Sequence, residues 1–399
     1  MSPKRRSTRS NASIALVTIV ALVIIGIYNL LSGKGPATPL PEGTDTPVSA
    51  PATASGPGSV PTSVNASGSW WEVYFTDPTH VNNPDDWQGA IEGRLIDKIN
   101  AAQKSIHIAS FEFDLTPVAE ALITAKQRGV DVRWVTDNEN GIDADSEPGR
   151  GQFKMLQDAG IEVRADTRSA LMHNKFWIFD GETAWTGSTN ITKSGVFQQN
   201  NNTIVIQSPE VAAIYEREFE EMWNGQFGPK SPSTADQQSV TVNGTPIQIY
   251  FSPEDKVMDH MIPIVSSARS NIRFLAFNFT DYPLAKAMID RASAGVDTAG
   301  IYEKTGSETD SSEMKTFYCA HVPVRQDGNP RFLHDKVIII DNHIVISGSF
   351  NFSSNATDNN DENVIIIDSP EIASLYMQEF DRLWSIATDL DPAKFPCTK

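Results

Sequence analysis

The chain opens polar and basic, then turns wholly apolar over residues 13–32, SIALVTIVALVIIGIYNLLS, with no charge. About 20 such residues suffice to cross a bilayer as a helix. Lys4, Arg5, Arg6 and Arg9 precede the run. The pattern therefore predicts one transmembrane anchor, with residues 1–12 cytoplasmic and everything later extracytoplasmic. A cleaved signal peptide is the rival reading, but the run is long for one and no small-x-small site closes it. Over 33–69 large apolar residues nearly vanish in favour of Pro, Ser, Thr, Ala and Gly, as in a disordered tether.

From residue 70 the pattern becomes α/β. SIHIASFEF and NIRFLAFNF alternate as strands do, and PVAEALITAKQRG and PLAKAMIDRASAG carry helical spacing closed by glycine. KFWIFD and KVIIID are short runs, apolar almost throughout, as expected of strands covered on both faces. These segments come in pairs. YFTDP at Tyr74 returns as YFSPED at Tyr250, and SPEVAAIYEREFEEMW at Ser208 returns as SPEIASLYMQEFDRLW at Ser369. One unit thus occurs twice, over 70–228 and 246–399, with 229–245 as connector. Each unit is expected to be a mixed sheet flanked by helices.

The repeat carries a constellation. HNKFWIFDGETAWTGSTN (173–190) and HDKVIIIDNHIVISGSFN (334–351) both read H-x-K-x-x-x-x-D, then G-S-x-N at a fixed offset. Residues two apart on a strand share a face. His173 and Lys175, His334 and Lys336, Ser188 and Asn190, and Ser349 and Asn351 therefore pair on common faces. A hairpin that folds the second strand back gathers a base, a cation and neutral donors, a set suited to a phosphate. Asp180 and Asp341 stand an odd step from their histidines. They serve either the Asp-Gly and Asp-Asn turns or a histidine of the other copy, and the sequence leaves both roles open. Two histidines can divide the labour of phosphoryl transfer, one attacking and one protonating the leaving oxygen. Lys175 and Lys336 supply the positive charge, so the reaction calls for no metal or cofactor. His80, His107, His260, His321 and His343 have no counterpart in the repeat. Glu362 lies just before VIIID and is the candidate carboxylate for orienting a histidine, with Asn201 at the matching place in the first copy.

The formal net charge is −18, and the excess acid lies beyond the tether. Such a surface disfavours bulk polyanion binding. The two cysteines, Cys319 and Cys397, lack metal-ligand spacing. They are either unrelated thiols or one disulfide tying the C-terminal tail, which an extracytoplasmic location permits.

The doubled motif with G-S-x-N resembles the phospholipase D superfamily, also called the HKD family, from about residue 70 to the C-terminus. The resemblance implies two similar α/β domains with the site between them, and metal-independent phosphodiester chemistry through phosphohistidine. It implies His173 as nucleophile, His334 as general acid, and Lys175, Lys336, Asn190 and Asn351 as phosphate ligands. Glu362 fits the acidic residue the family often carries after G-S-x-N, and Asn201 departs from it. The tether favours phospholipid at the membrane surface as substrate. An extracytoplasmic nuclease and a phosphatidyl-transferring, cardiolipin synthase-like enzyme are the alternatives, and no obligate protein partner is implied.

Overall fold

The computed structural model describes residues 61–233 and 237–397. The expected anchor over 13–32 and most of the expected tether lie outside them. Among the described residues no helix is long and apolar enough to cross a membrane.

The first half forms an eight-stranded sheet. Its strands are β1 (Ala66–Ser67), β2 (Trp71–Phe75), β3 (Ser105–Ser110), β4 (Asp131–Thr136), β5 (Glu162–Ala165), β6 (Lys175–Phe179), β7 (Thr183–Gly187) and β9 (Asn202–Gln207). Their order is β1-β2-β9-β7-β6-β3-β4-β5, where β8 (Gln199–Asn200) stands apart. The second half repeats this arrangement with β10 (Ser239–Val242), β11 (Thr245–Ser252), β12 (Asn271–Ala276), β13 (Asp297–Tyr302) and β14 (Val324–Gln326). It continues with β15 (Phe332–Leu333), β16 (Lys336–Ile340), β17 (Ile344–Gly348), β18 (Glu362–Asp368) and β19 (Thr388–Asp389). The order is β10-β11-β18-β17-β16-β12-β13-β14-β19. Parallel pairs at β3–β4 and β12–β13 beside antiparallel β6–β7 and β16–β17 make both sheets mixed.

Two boundaries differ from the sequence reading. Ala66 and Ser67 already pair with Val73 and Glu72, and Asn65 Oδ1 accepts from the Phe75 amide at 2.8 Å, so ordered pairing begins inside the expected tether. The expected connector likewise contains β10, which binds β11 as an edge strand. Both segments are short, and each is held by its partner strand and by packing of Ala66, Val240 and Val242 on the shared core.

The apolar runs are covered on both faces. In β6, Phe176 and Ile178 enter one core, and Trp177 and Phe179 enter another on the opposite face. In β16, Val337 and Ile339 join the same core as Phe176, and Ile338 and Ile340 enter a third core on the opposite face. The helices Pro209–Trp223 and Pro370–Ile386 contribute Tyr215, Phe219, Tyr376 and Phe380 to this shared core. Phe176 and Tyr215 of the first half contact Phe251 of the second, at ring centroid distances of 6.2 and 5.6 Å. The two halves are thus joined through a common apolar interior, which is why the site between them is rigidly placed. Cys319 and Cys397 are disulfide-bonded, their Cα atoms 5.5 Å apart.

Candidate active site

Each motif histidine is gripped by the opposite half. The His173 amide donates to the Asp361 carbonyl at 2.9 Å, and the His334 amide donates to the Asn200 carbonyl at 2.8 Å. The residue after each acceptor is thereby carried to an imidazole. Nδ1 of His173 lies 2.7 Å from Glu362 Oε2. Nδ1 of His334 lies 2.9 Å from Asn201 Oδ1 and 3.2 Å from the Ser188 carbonyl. An acceptor at Nδ1 fixes the proton there and leaves Nε2 of each ring as the working nitrogen.

The lysines follow a shared plan. Lys175 Nζ donates to the His173 carbonyl at 2.9 Å, and Lys336 Nζ to the His334 carbonyl at 2.6 Å. Phe111 and Phe277 each lie beneath a lysine ammonium, at 5.0 and 4.8 Å, and present an edge-on contact to the adjoining imidazole. Both lysine charges act on both histidines, and the His173 imidazole acts on His334, so with the bonds that cross between the halves the motifs form one site.

Burial and concentrated positive charge dominate the protonation states. Burial, then Lys175 and Lys336, hold His173 well below the usual histidine range. Burial and the same lysines do so for His334. Burial pushes Lys175 down to about 8, and burial with the Lys175 charge pushes Lys336 well below the usual lysine range. Burial raises Glu362 to about 7, against the pull of Lys175. A site with two ammonium groups and neutral imidazoles is short of negative charge, which an anionic diester supplies.

Other motif residues take roles different from those expected. The Ser349 hydroxyl donates to Glu362 Oε2 at 2.7 Å, and the Ser188 hydroxyl to Asn201 Oδ1 at 2.8 Å. Each serine oxygen also accepts a backbone amide, from Asn363 and Asn202, at 3.0 Å. Fully buried, both hydroxyls are committed to the histidine partners and are not free phosphate ligands. Asp180 and Asp341 do not orient histidines. They sit at φ 58° and 54° in hairpin turns and accept amides of residues 103–105 and 269–271. These bonds pull both carboxyls below their usual range despite partial burial, and they staple each turn to the start of the neighbouring strand. Asn190 is buried with Nδ2 on Glu112 Oε1 at 2.7 Å, and among the described residues neither Asn190 Oδ1 nor Asn351 Oδ1 has a hydrogen-bond partner.

Sequence reasoning missed the amides that cross between the halves. Asn202 Nδ2 donates to Asp335 Oδ1 at 2.6 Å and its Oδ1 accepts from Ser347 at 2.7 Å. Asn363 Nδ2 donates to Asn174 Oδ1 at 2.9 Å and its Oδ1 accepts from Thr186 at 2.7 Å. The signal was the matched placement of Asn202 and Asn363 in the repeat. Asn201 stood out only as a departure from Glu362, whereas it is the partner of the second histidine.

The chain matches the family described as cardiolipin synthase, phospholipase D-like domain, over residues 95–223 and again over 261–384, and it belongs to that family. A mitochondrial cardiolipin hydrolase of Xenopus laevis is 35% identical over 130 residues, covering 33% of this chain and 60% of that protein. A phospholipase D of Rickettsia bellii is 32% identical over 130 residues, covering 33% of this chain and 65% of that one. The chain therefore spans less than two thirds of these relatives' length. Among solved structures, phosphatidylserine synthase from Haemophilus influenzae Rd KW20 has a TM-score of 0.58 at 12% identity. The match covers 80% of this chain and 87% of that one, a likeness of fold.

Proposed function

We propose that the chain is a phospholipase D-type phosphodiesterase that hydrolyses phospholipid phosphodiester bonds through a phosphohistidine. The observation that carries this reading is the unequal support of the two motif imidazoles, His173 on the Glu362 carboxylate and His334 on the Asn201 amide. A carboxylate on Nδ1–H raises the basicity of Nε2 and stabilises the positive charge that builds on a phosphorylated ring. An amide oxygen orients its ring without that stabilisation, so His334 gives up a proton more readily.

The sequence of events follows. The Nε2 lone pair of His173 attacks phosphorus, an N–P bond forms, and the P–O bond to the leaving alcohol breaks. His334, protonated at Nε2 once the anionic diester has entered, passes that proton to the departing oxygen. His334 then takes a proton from water, the water oxygen attacks phosphorus, and the N–P bond breaks with its electrons returning to His173. Lys175, Lys336, Asn190 and Asn351 hold the phosphate oxygens. An alcohol in place of water gives transfer instead of hydrolysis.

Relatives named for cardiolipin hydrolysis and phospholipase D support a lipid substrate, as does an acidic surface that disfavours polyanions. The charge-free run over 13–32 supports a site held at the outer face of a membrane. The test is a panel of vesicles of phosphatidylcholine, phosphatidylglycerol or cardiolipin, and a single-stranded oligonucleotide, with and without added glycerol. Headgroup release from vesicles, lost in His334→Ala, is expected. Faster cleavage of the oligonucleotide would replace the lipid reading with a nuclease, and glyceryl-ester products would make the enzyme a transferase.

A further inference from the structure

One carboxylate beside the site has no counterpart in the other half. Glu112 follows β3 within FEFD, where the second copy has Asn278 within FNFT. The backbone around both positions is clamped in the same way. Phe111 donates its amide to the Asn174 carbonyl at 3.1 Å and Asp114 to the Ile191 carbonyl at 3.2 Å. In the second half Phe277 donates to Asp335 at 3.0 Å and Thr280 to Phe352 at 2.8 Å. Phe111 also leans on His173, and Phe113 is anchored in the outer core against Trp134. Glu112 is thus held between two fixed rings, and its position relative to the motif leaves little freedom.

The side chain points at the site. Oε1 accepts from Asn190 Nδ2 at 2.7 Å, and Oε2 accepts from Arg150 Nη2 at 3.2 Å. The Lys175 charge also acts on it. In the second half Asn278 is exposed, and no side-chain hydrogen bond holds Asn351 among the described residues. An amide free to rotate must be ordered when it binds a phosphate oxygen, whereas one already held by a carboxylate is pre-organised. A carboxylate would itself repel the phosphate, so its use is indirect.

We propose that Glu112 is a positioning residue for phosphate binding, which orients the Asn190 amide and is itself fixed by Arg150. It deepens the proposed phosphodiesterase reading and rests on it. One N–H of Asn190 goes to Glu112, and the second is thereby aimed at the substrate oxygen. The first half then binds the phosphate with a preset donor and the second with a mobile one.

The test uses the full chain and bis(p-nitrophenyl) phosphate, a diester with neither lipid nor nucleotide character, beside thermal melts of every variant. Glu112→Ala should raise KM about 5- to 10-fold with kcat within about twofold, as loss of a contact made equally in ground and transition states does. Glu112→Gln keeps an acceptor for Asn190 and should restore KM to within about threefold of the parent. The double variant Glu112→Ala with Asn190→Ala should be no worse than Asn190→Ala alone, because Glu112 acts through that residue. Asn278→Ala should match the parent. Additive losses in the double variant, or an unchanged KM in Glu112→Ala, would overturn the proposal. Turnover surviving in His173→Ala would instead overturn the phosphohistidine reading, so the two failures are distinct.

Discussion

At the first-half histidine the Nδ1 partner is a buried carboxylate; at the second-half histidine, held by the same backbone bond, it is an amide. A second pair of equivalent places differs in the same manner. On the helix Pro370–Ile386, Glu379 receives the Arg382 guanidinium at 2.8 and 2.6 Å, and Asp77 lies 3.8 Å from it. On the matching helix Pro209–Trp223, Glu221 stands where Arg382 would, and Glu218 faces Glu254 and Asp255. The duplication kept strand order, hydrogen-bond register and core. It let the charges diverge, because a buried charge is tuned by one or two neighbours, whereas a sheet is fixed by dozens.

The largest expected effect comes from erasing the difference at the histidines. Glu362→Gln gives both rings a neutral partner, and kcat should fall about 10²-fold, as for loss of an orienting carboxylate. The pH profile sharpens this. With Glu362 at about 7, kcat/KM of the parent should rise as pH increases through neutrality and the carboxylate forms, then fall as Lys175, at about 8, loses its charge. The rising limb should vanish in Glu362→Gln. A profile with that limb intact would remove Glu362 from the chemistry.

Next in size is the ion pair. Arg382→Met leaves Glu379 and Asp77 buried without their cation and should cost about 3 kcal/mol in denaturant unfolding. The opposite change on the matching helix should be mild and of opposite sign. Burial and neighbouring carboxylates hold Glu218 and Glu254 protonated above the usual carboxylate range, and burial with Asp255 lifts Glu221 to about 7. Groups with raised folded-state values stabilise fully only below their unfolded values, and that stability is lost as pH climbs through the raised ones. The melting temperature should therefore fall between about pH 5 and pH 8. Glu218→Gln should flatten this slope and add about 1 kcal/mol at pH 8. An unchanged slope would show that the cluster holds no excess protons.

The repeat made much of the fold legible. Paired segments in one order defined two α/β halves, and KFWIFD and KVIIID announced strands covered on both faces. His173, His334 and the lysines were legible too, because strand alternation and a doubled motif act over short range. The roles of Asp180 and Asp341 were not, since turn-forming and histidine-orienting aspartates look alike until their amide partners are known. Ser188 and Ser349 were placed on the correct face, but burial gave their hydroxyls to Asn201 and Glu362. Asn201 under His334 and Glu112 on Asn190 depend on contacts across more than 70 residues of chain, which no local pattern encodes.

Protein quenched by denaturation in alkali, where a P–N bond survives, caught during turnover of a slow diester and mapped by mass spectrometry, reports directly which ring bears the phosphoryl group. His334→Ala, which lacks the base that activates water in the second step, should accumulate phosphate on His173 when given a diester whose good leaving group needs no proton, and His173→Ala should accumulate none. Phosphate found on His334, or on no histidine while turnover proceeds, would contradict the assignment of the carboxylate-supported ring as nucleophile.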